Sequence, residues 1–340
     1  MNILVTGGTG YIGSHTAIEL ALQGYNPILV DNLSNSREDV LQAIEKITGK
    51  GIQFFNIDVC NKPELEKFFK VYKIEATIHF AAFKAVGESV EDPLKYYRNN
   101  LLSLINLLEI HLERKVDNLV FSSSCSIYGQ SEEQPVNEKT KPGKAESPYG
   151  YTKQVGENIL IDVVKAHKLN ACALRYFNPA GAHESALIGE YPLQTPTNLV
   201  PVIAQTAAGL RDQVTVYGGD YNTSDGTCVR DYVHVVDIAR AHVAAISRLI
   251  KKQNKEALEI FNLGTGKGNT VLEVIQAFEK SSGKKINYKI GPRRMGDVEK
   301  VWADTTKANA ELGWKATHSL EDIVKSAWAW EQHLKKSSVV

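Results

Sequence analysis

Short runs of β-branched and apolar residues alternate with longer stretches of helical period along the first half of the chain. Asn2–Thr6 predicts a strand and Ile12–Gln23 a helix, and Pro27–Asp31 with Val40–Ile47 repeats the pair. Gln53–Asp58, Ala76–Ala81 and Asn118–Ser123 are further strands, separated by helices over Lys62–Tyr72 and Asp92–His111. This alternation predicts a parallel sheet covered by helices on both faces. Right-handed crossovers make it an α/β, doubly wound parallel-sheet Rossmann domain, with ligands at the carboxyl ends of the strands.

A polar loop over Gln130–Glu146 follows, and then a helix starting at Ser147-Pro148, where Ser suits the N-cap and Pro the first turn. Leu169–Tyr176 reads as a strand. From about Asn178 the texture changes: Pro179, Pro192, Pro196 and Pro201 crowd a loop-rich stretch. Val214–Tyr217, Val229–His234 and Glu259–Leu263 are the later strands, with helices over Asp237–Leu249 and Thr270–Lys280. The expected organisation is a Rossmann domain over 1–177 and a smaller mixed α/β lobe over 178–340, with a segment near 229–250 returning to the first domain.

Composition narrows the function. A chain of 340 residues fits about two units at ~150 residues each. Hydrophobic residues at 43% and charged residues at 23% describe a globular chain able to bury a core. Lys+Arg 39 balance Asp+Glu 39, so a nucleic-acid partner is not expected. An anionic small ligand would then depend on a few placed arginines. The first residues carry no basic segment ahead of an apolar run, and no stretch reaches the ~20 apolar residues of a membrane span. A cytoplasmic location without membrane attachment is expected. Cys60, Cys125, Cys172 and Cys228 lie far apart without CxxC spacing, which reads as reduced thiols and no metal site.

Gly7-Gly8-Thr9-Gly10-Tyr11-Ile12-Gly13 stands between the first strand and the first helix. Glycines at 7, 10 and 13 allow a tight turn, close approach to a pyrophosphate, and packing of the helix on the sheet. The spacing is GxxGxxG, and a plain tight turn is the alternative. Asp31 ends the second strand 18 positions past Gly13, close to the ~20 expected of a carboxylate on an adenosine ribose. That carboxylate would repel a 2′-phosphate, which favours NAD over NADP, and Asn32 beside it is a further cofactor candidate. Asp58 and Val59 close the third strand, and Phe80 and Ala81 the fourth, so these are cofactor candidates by the same topology. For Asp58 a turn or capping role is the alternative.

Tyr149 and Lys153 are four apart at the start of a helix and share one face. A phenol has pKa ~10. A neighbouring ammonium, a nicotinamide cation and the helix N-terminus should together bring it toward 7, making Tyr149 a base. Such a pair is common by chance on exposed helix faces. It gains force from Ser122-Ser123-Ser124 just past the fifth strand, where Ser124 could hold a substrate hydroxyl.

These motifs, with Lys84-Ala85-Val86-Gly87-Glu88-Ser89, Arg175-Tyr176-Phe177-Asn178-Pro179 and Val229-Arg230-Asp231-Tyr232-Val233-His234, resemble the extended short-chain dehydrogenase/reductase family, and within it the UDP-galactose 4-epimerases. The resemblance implies tightly held NAD, a transient 4-keto sugar, a UDP-sugar substrate and a homodimer formed through the long helices Asp92–His111 and Tyr149–His167. It gives Ser124, Tyr149 and Lys153 the catalytic roles. It places Tyr11, Ile12, Lys84, Asn99 and Phe177 on the cofactor side. Asn178, Asn198, Tyr217, Arg230, Arg294 and Asp297 fall to the UDP-sugar. Val301 stands where some relatives carry a bulky Tyr, which implies room for an N-acetylated hexosamine.

Three rivals stay open at this point. A 4,6-dehydratase needs an Asp-Glu pair beside the active-site hydroxyl, where this chain has Cys125-Ser126. A uronate 4-epimerase is disfavoured by the second-lobe motifs. A silent NAD-sensing module leaves the joint presence of Ser124, Tyr149 and Lys153 unexplained.

Overall fold

The computed structural model describes residues 1–193, 195–294 and 296–337. Its first half runs β1 (Asn2–Thr6), α1 (Tyr11–Leu22), β2 (Asn26–Asp31), α2 (Val40–Thr48), β3 (Gln53–Asn56) and α3 (Lys62–Val71). There follow β4 (Ala76–His79), α4 (Val86–Glu91), α5 (Pro93–Arg114), β5 (Asn118–Ser124), α6 (Pro148–Ala166) and β6 (Asn170–Tyr176). The helix starts follow from their caps: Asn61, Asp92 and Ser147 each accept a backbone N–H at the head of α3, α5 and α6, with Pro in the first turn of each.

The second half runs β7 (Asn178–Ala180), α7 (Leu199–Ala207), β8 (Val214–Tyr217), β9 (Val229–Arg230), β10 (Tyr232–His234) and α8 (Val235–Ile250). It ends with β11 (Leu258–Leu263), β12 (Asn269–Thr270), α9 (Val271–Ser282), β13 (Tyr288–Gly291), β14 (Lys300–Val301) and α10 (Leu320–Ser337).

Seven strands form one parallel sheet in the order β11-β6-β5-β4-β1-β2-β3. The doubly wound expectation holds. The chain reverses its direction of winding between β1 and β4, and the crevice above that switch point is where such sheets bind ligands. One face is covered by α1, α2 and α8 through Ile18, Leu20, Ile44, Ile238 and Ile246, all buried. The other is covered by α3, α5 and α6 through Leu65, Phe68, Leu104, Leu107 and Leu160. The smaller lobe has its own core, built by Ile203, Val216, Val274, Phe278 and Ile323.

The structure differs from the expected elements in the second half. The proline-rich stretch contains α7, because Pro201 sits in that helix's first turn, where its missing N–H costs nothing. The expected strand Val229–His234 is broken at Asp231, whose buried carboxylate accepts from Thr265 N, Gly266 N and Ala303 N. α10 had no expected counterpart. In the first half, β3 stops at Asn56, so Asp58 lies just beyond it.

Candidate active site

A cleft of about 1010 Å³ opens above the switch point, at the upper end of the ~300–1,000 Å³ common for small-molecule sites. Its floor is the loop from β1 to α1. Gly7 adopts φ +68°, which favours glycine, and a Cβ on Gly13 would lie 2.1 Å from the Gly7 carbonyl oxygen. Gly10 caps α1 without a side chain, and no acidic residue occupies its first turn. The first N–H groups of α1 are therefore directed at the cleft as an anion cradle. This cradle fits a dinucleotide pyrophosphate.

Tyr11, Ile12, Asp31, Asn32, Asp58, Val59, Phe80, Ala81, Lys84 and Asn99 all line this cleft, as the sequence reading placed them. Asp31 Oδ1 accepts from Leu33 N at 2.9 Å and Ser36 Oγ at 2.9 Å, and its Oδ2 from Thr9 N at 3.2 Å. These bonds fix the carboxylate at the end of β2. Asp58 also accepts from Cys60 N at 2.8 Å, so the turn role coexists with its place in the wall. Tyr11 donates to the Gly181 carbonyl at 2.6 Å, and burial, helped by Glu190, holds its phenol far above the ordinary value. Phe177 is buried in the core and outside the cleft lining.

Tyr149 and Lys153 reach the cleft from the first two turns of α6. Lys153 Nζ donates to the Ser122 carbonyl at 2.7 Å and stands 5.9 Å from the centre of the Tyr149 ring. The Ser124 hydroxyl, which accepts from Ser126 N at 3.2 Å, lies near enough to the Tyr149 phenol to favour its phenolate. Ser124, Tyr149 and Lys153 thus converge, although Ser124 itself does not line the cleft. Burial lowers the Lys153 ammonium to about 8, with Glu157 partly offsetting it. In the protein alone burial pushes the Tyr149 phenol up, Tyr176 adds to this, and the Ser124 hydroxyl only partly opposes it; the expected depression counted the nicotinamide cation as well. The protein alone holds Tyr149 protonated. Depression toward neutrality needs cationic charge brought by the ligand.

From the smaller lobe, Asn198, Tyr217 and Arg294 line the cleft. Arg294 lies over the Tyr217 ring at 5.3 Å and pairs with Asp297 at 3.2 Å. Arg230 reaches the same carboxylate at 3.7 Å. Arg230, Arg294, Tyr217 and Asp297 therefore form one cluster at the cleft's outer end. Asn178 begins β7 and, with Arg230 and Asp297, lies outside the lining. Val301 is 4% exposed, is also outside it, and pairs in register with Arg230.

Sequence reasoning missed several wall residues. Glu190 bonds Lys84 Nζ at 2.7 Å and Asn198 Nδ2 at 2.7 Å, and Arg37 lies over the Tyr191 ring at 4.7 Å. Nothing local marks Glu190 and Tyr191, because their partners lie far away in sequence. Tyr176, in contrast, follows Arg175 at a strand end and was open to the same topological argument as Phe80. Among the described residues no group of three or more His, Cys, Asp or Glu could hold a metal ion, and no helix is long and apolar enough to cross a membrane. The four cysteines are unbridged.

Comparison with known proteins fits this geometry. The family described as GDP-mannose 4,6 dehydratase matches residues 4–327. A UDP-glucose 4-epimerase of Dictyostelium discoideum is 49% identical over 97% of this chain and 95% of its own. The solved UDP-glucose-4-epimerase of Stenotrophomonas maltophila, with bound NAD and formylated UDP-arabinopyranose, is 46% identical with TM-score 0.95, covering 99% of each chain. That of Bifidobacterium longum, in complex with NAD+ and UDP, is 47% identical with TM-score 0.94 over 98% of each. Beside Ser124 the chain has Cys125-Ser126 and not the Asp-Glu pair expected above of a dehydratase. The chain belongs to the UDP-glucose 4-epimerases of the extended short-chain dehydrogenase/reductase family.

Proposed function

We propose that this chain interconverts UDP-galactose and UDP-glucose at C4 through a transient 4-keto sugar, using NAD held as a prosthetic group. The observation that carries this is the convergence of Ser124, Tyr149 and Lys153 at the wall of a cleft whose floor is the glycine cradle. NAD, when bound, supplies the hydride acceptor and donor that no side chain can provide. The α1 N-terminus and Asp31 would hold its pyrophosphate and ribose. Lys153 stabilises the Tyr149 phenolate, Ser124 orients the sugar 4-hydroxyl, and the phenolate takes the hydroxyl proton to become the neutral phenol. Arg230 and Arg294 suit the diphosphate, since guanidinium forks bind its oxygens with two parallel hydrogen bonds. Asp297, held between them, suits the ribose, Tyr217 the uracil, and Asn178 and Asn198 the linkage and sugar.

A homodimer is supported by exposed apolar side chains on neighbouring helices: Leu94 at 71%, with Ile105 on α5 and Tyr151 on α6. The Tyr97 and Tyr151 rings already meet edge to face across these helices. A cytoplasmic location fits the four unbridged cysteines. Val301, smaller than Tyr, supports turnover of UDP-N-acetylhexosamines as well. The test is direct. Denaturing the purified protein should release NAD, and fresh protein should interconvert UDP-galactose and UDP-glucose. Folded, NAD-loaded protein that leaves UDP-galactose unchanged would defeat the reading.

A further inference from the structure

Three consecutive serines at the end of β5 are each tied to helix α6. The Ser122 carbonyl accepts from Lys153 Nζ at 2.7 Å, Ser123 Oγ donates to Glu157 Oε1 at 2.5 Å, and the Ser124 hydroxyl faces the Tyr149 phenol. Positions 149, 153 and 157 recur every four residues and so share one helix face. The rung outside the cleft is Ser123–Glu157. Ser123 is 0% and Glu157 4% exposed, so a carboxylate has been placed in the interior, where an unpaired charge is costly. It is fully bonded there. Arg175 Nε donates to Oε1 at 2.9 Å and Nη2 to Oε2 at 2.6 Å, while Arg175 Nη1 donates to Tyr128 Oη at 3.0 Å. Tyr128 in turn donates to Asn262 Oδ1 at 2.6 Å.

We infer that Glu157, clamped between Ser123 and Arg175, is a positioning residue that sets the register of α6 on the end of β5, and so holds Tyr149 and Lys153 against Ser124. This rests on the epimerase reading above. A slip of α6 by even part of a turn would part Tyr149 from Ser124; among the described residues the only other side-chain bond from α6 to β5 is that of Lys153, while Gln154 holds the Ile127 carbonyl just past β5 at 2.8 Å. Arg175 belongs to β6, the next strand of the sheet, so the clamp anchors the helix to two strands at once. The carboxylate has a second effect, through charge. It partly offsets the burial that lowers Lys153, and the Arg175 fork leaves that effect reduced but present.

The experiment compares the full-length, NAD-loaded protein with Ser123→Ala, Glu157→Gln and Glu157→Asp. kcat and KM for UDP-galactose, the pH profile of kcat and the NAD content are measured for each. Ser123→Ala removes one hydrogen bond and no charge, and is small enough to leave folding intact. Its kcat should fall by between about ten- and a hundredfold, the scale of a misplacement near 1 Å, with KM within twofold and NAD retained. Glu157→Gln should also lower kcat, and should move the alkaline limb to lower pH. Glu157→Asp should restore the limb without restoring the rate. Ser123→Ala with an unchanged kcat, or Glu157→Gln with both rate and limb unchanged, overturns the inference. If Glu157→Gln does not fold, Ser123→Ala alone decides. A wild-type protein that is folded, loaded and inert would instead defeat the epimerase reading itself.

Discussion

Gly13→Ala tests the cradle most sharply, because its effect can be worked from distances. The added Cβ would lie 2.1 Å from the Gly7 carbonyl oxygen and 3.0 Å from Gly8 Cα, whereas real Cβ contacts begin near 3.0 Å. The loop and helix must therefore part by about 0.9 Å, the difference between those two distances. Gly7 is not free to give way. Its carbonyl accepts from Gly10 N at 3.1 Å, and its own N–H donates to Val30 O at 2.8 Å. Overpacking of this kind costs about 1–3 kcal/mol, and losing one loop hydrogen bond about 1 more. If that cost falls on the loop conformation that grips the pyrophosphate, NAD binding weakens by roughly thirty- to a thousandfold. The assay is the NAD released per chain on denaturing the purified variant, with the epimerisation rate measured before and after adding NAD. Less than about a tenth of the wild-type content is expected, with activity partly recovered by added NAD. Gly51→Ala, where the new methyl meets nothing nearer than 4.0 Å, is the matched control. Full NAD content and a rate within twofold for Gly13→Ala would refute the cradle argument.

Other expectations follow from the same geometry. Tyr149→Phe should lower kcat by about 10²–10⁴-fold with NAD still bound, and an unaffected rate would remove Tyr149 as the base. Lys153, lowered to about 8, is charged below that pH and neutral above it. The support it gives the Tyr149 phenolate is therefore present below about pH 8 and lost as pH rises through it. The rate profile should fall on that alkaline side, and a profile flat to pH 10 would contradict this. Val301→Tyr places a phenol at a site only 4% exposed, so the ring must turn toward the cleft or disturb the core. Turnover of UDP-N-acetylglucosamine relative to UDP-galactose should drop at least about tenfold, and an unchanged ratio would sink the size argument.

The parts legible in the sequence are those whose physics is local. The glycine spacing, the carboxylate at the end of β2, the Ser147-Pro148 start and the Tyr149–Lys153 spacing each concern residues within a turn or one strand–helix unit. What escaped depends on partners far along the chain. Asp231 breaks a strand because residues 265, 266 and 303 reach its carboxylate. Glu190 faces the cleft because Lys84 and Asn198 hold it there. α7 was hidden for a different reason: a proline cluster reads as loop until one of the prolines is seen to occupy a first helical turn. The Tyr149 phenol shows a third limit, since burial of a side chain is set by the whole fold and, in the protein alone, opposes the shift inferred from its neighbours.

The β11 strand and helix α8 come from the second half of the chain, yet β11 pairs with β6 along the sheet and α8 covers one of its faces. Cooperativity therefore does not respect the order of the sequence. A ribosome that has released only residues 1–177 has made a sheet with an unpaired β6 edge, and the part of one apolar face that α8 covers over β4, β5 and β6 lies open. Such an intermediate should recruit holding chaperones or aggregate, and a fragment cut there should not melt as an independent unit. Thermal unfolding of the intact chain should instead couple the cofactor sheet to the chain that closes over the sugar nucleotide. Ligands at either end of the cleft would then raise one shared transition.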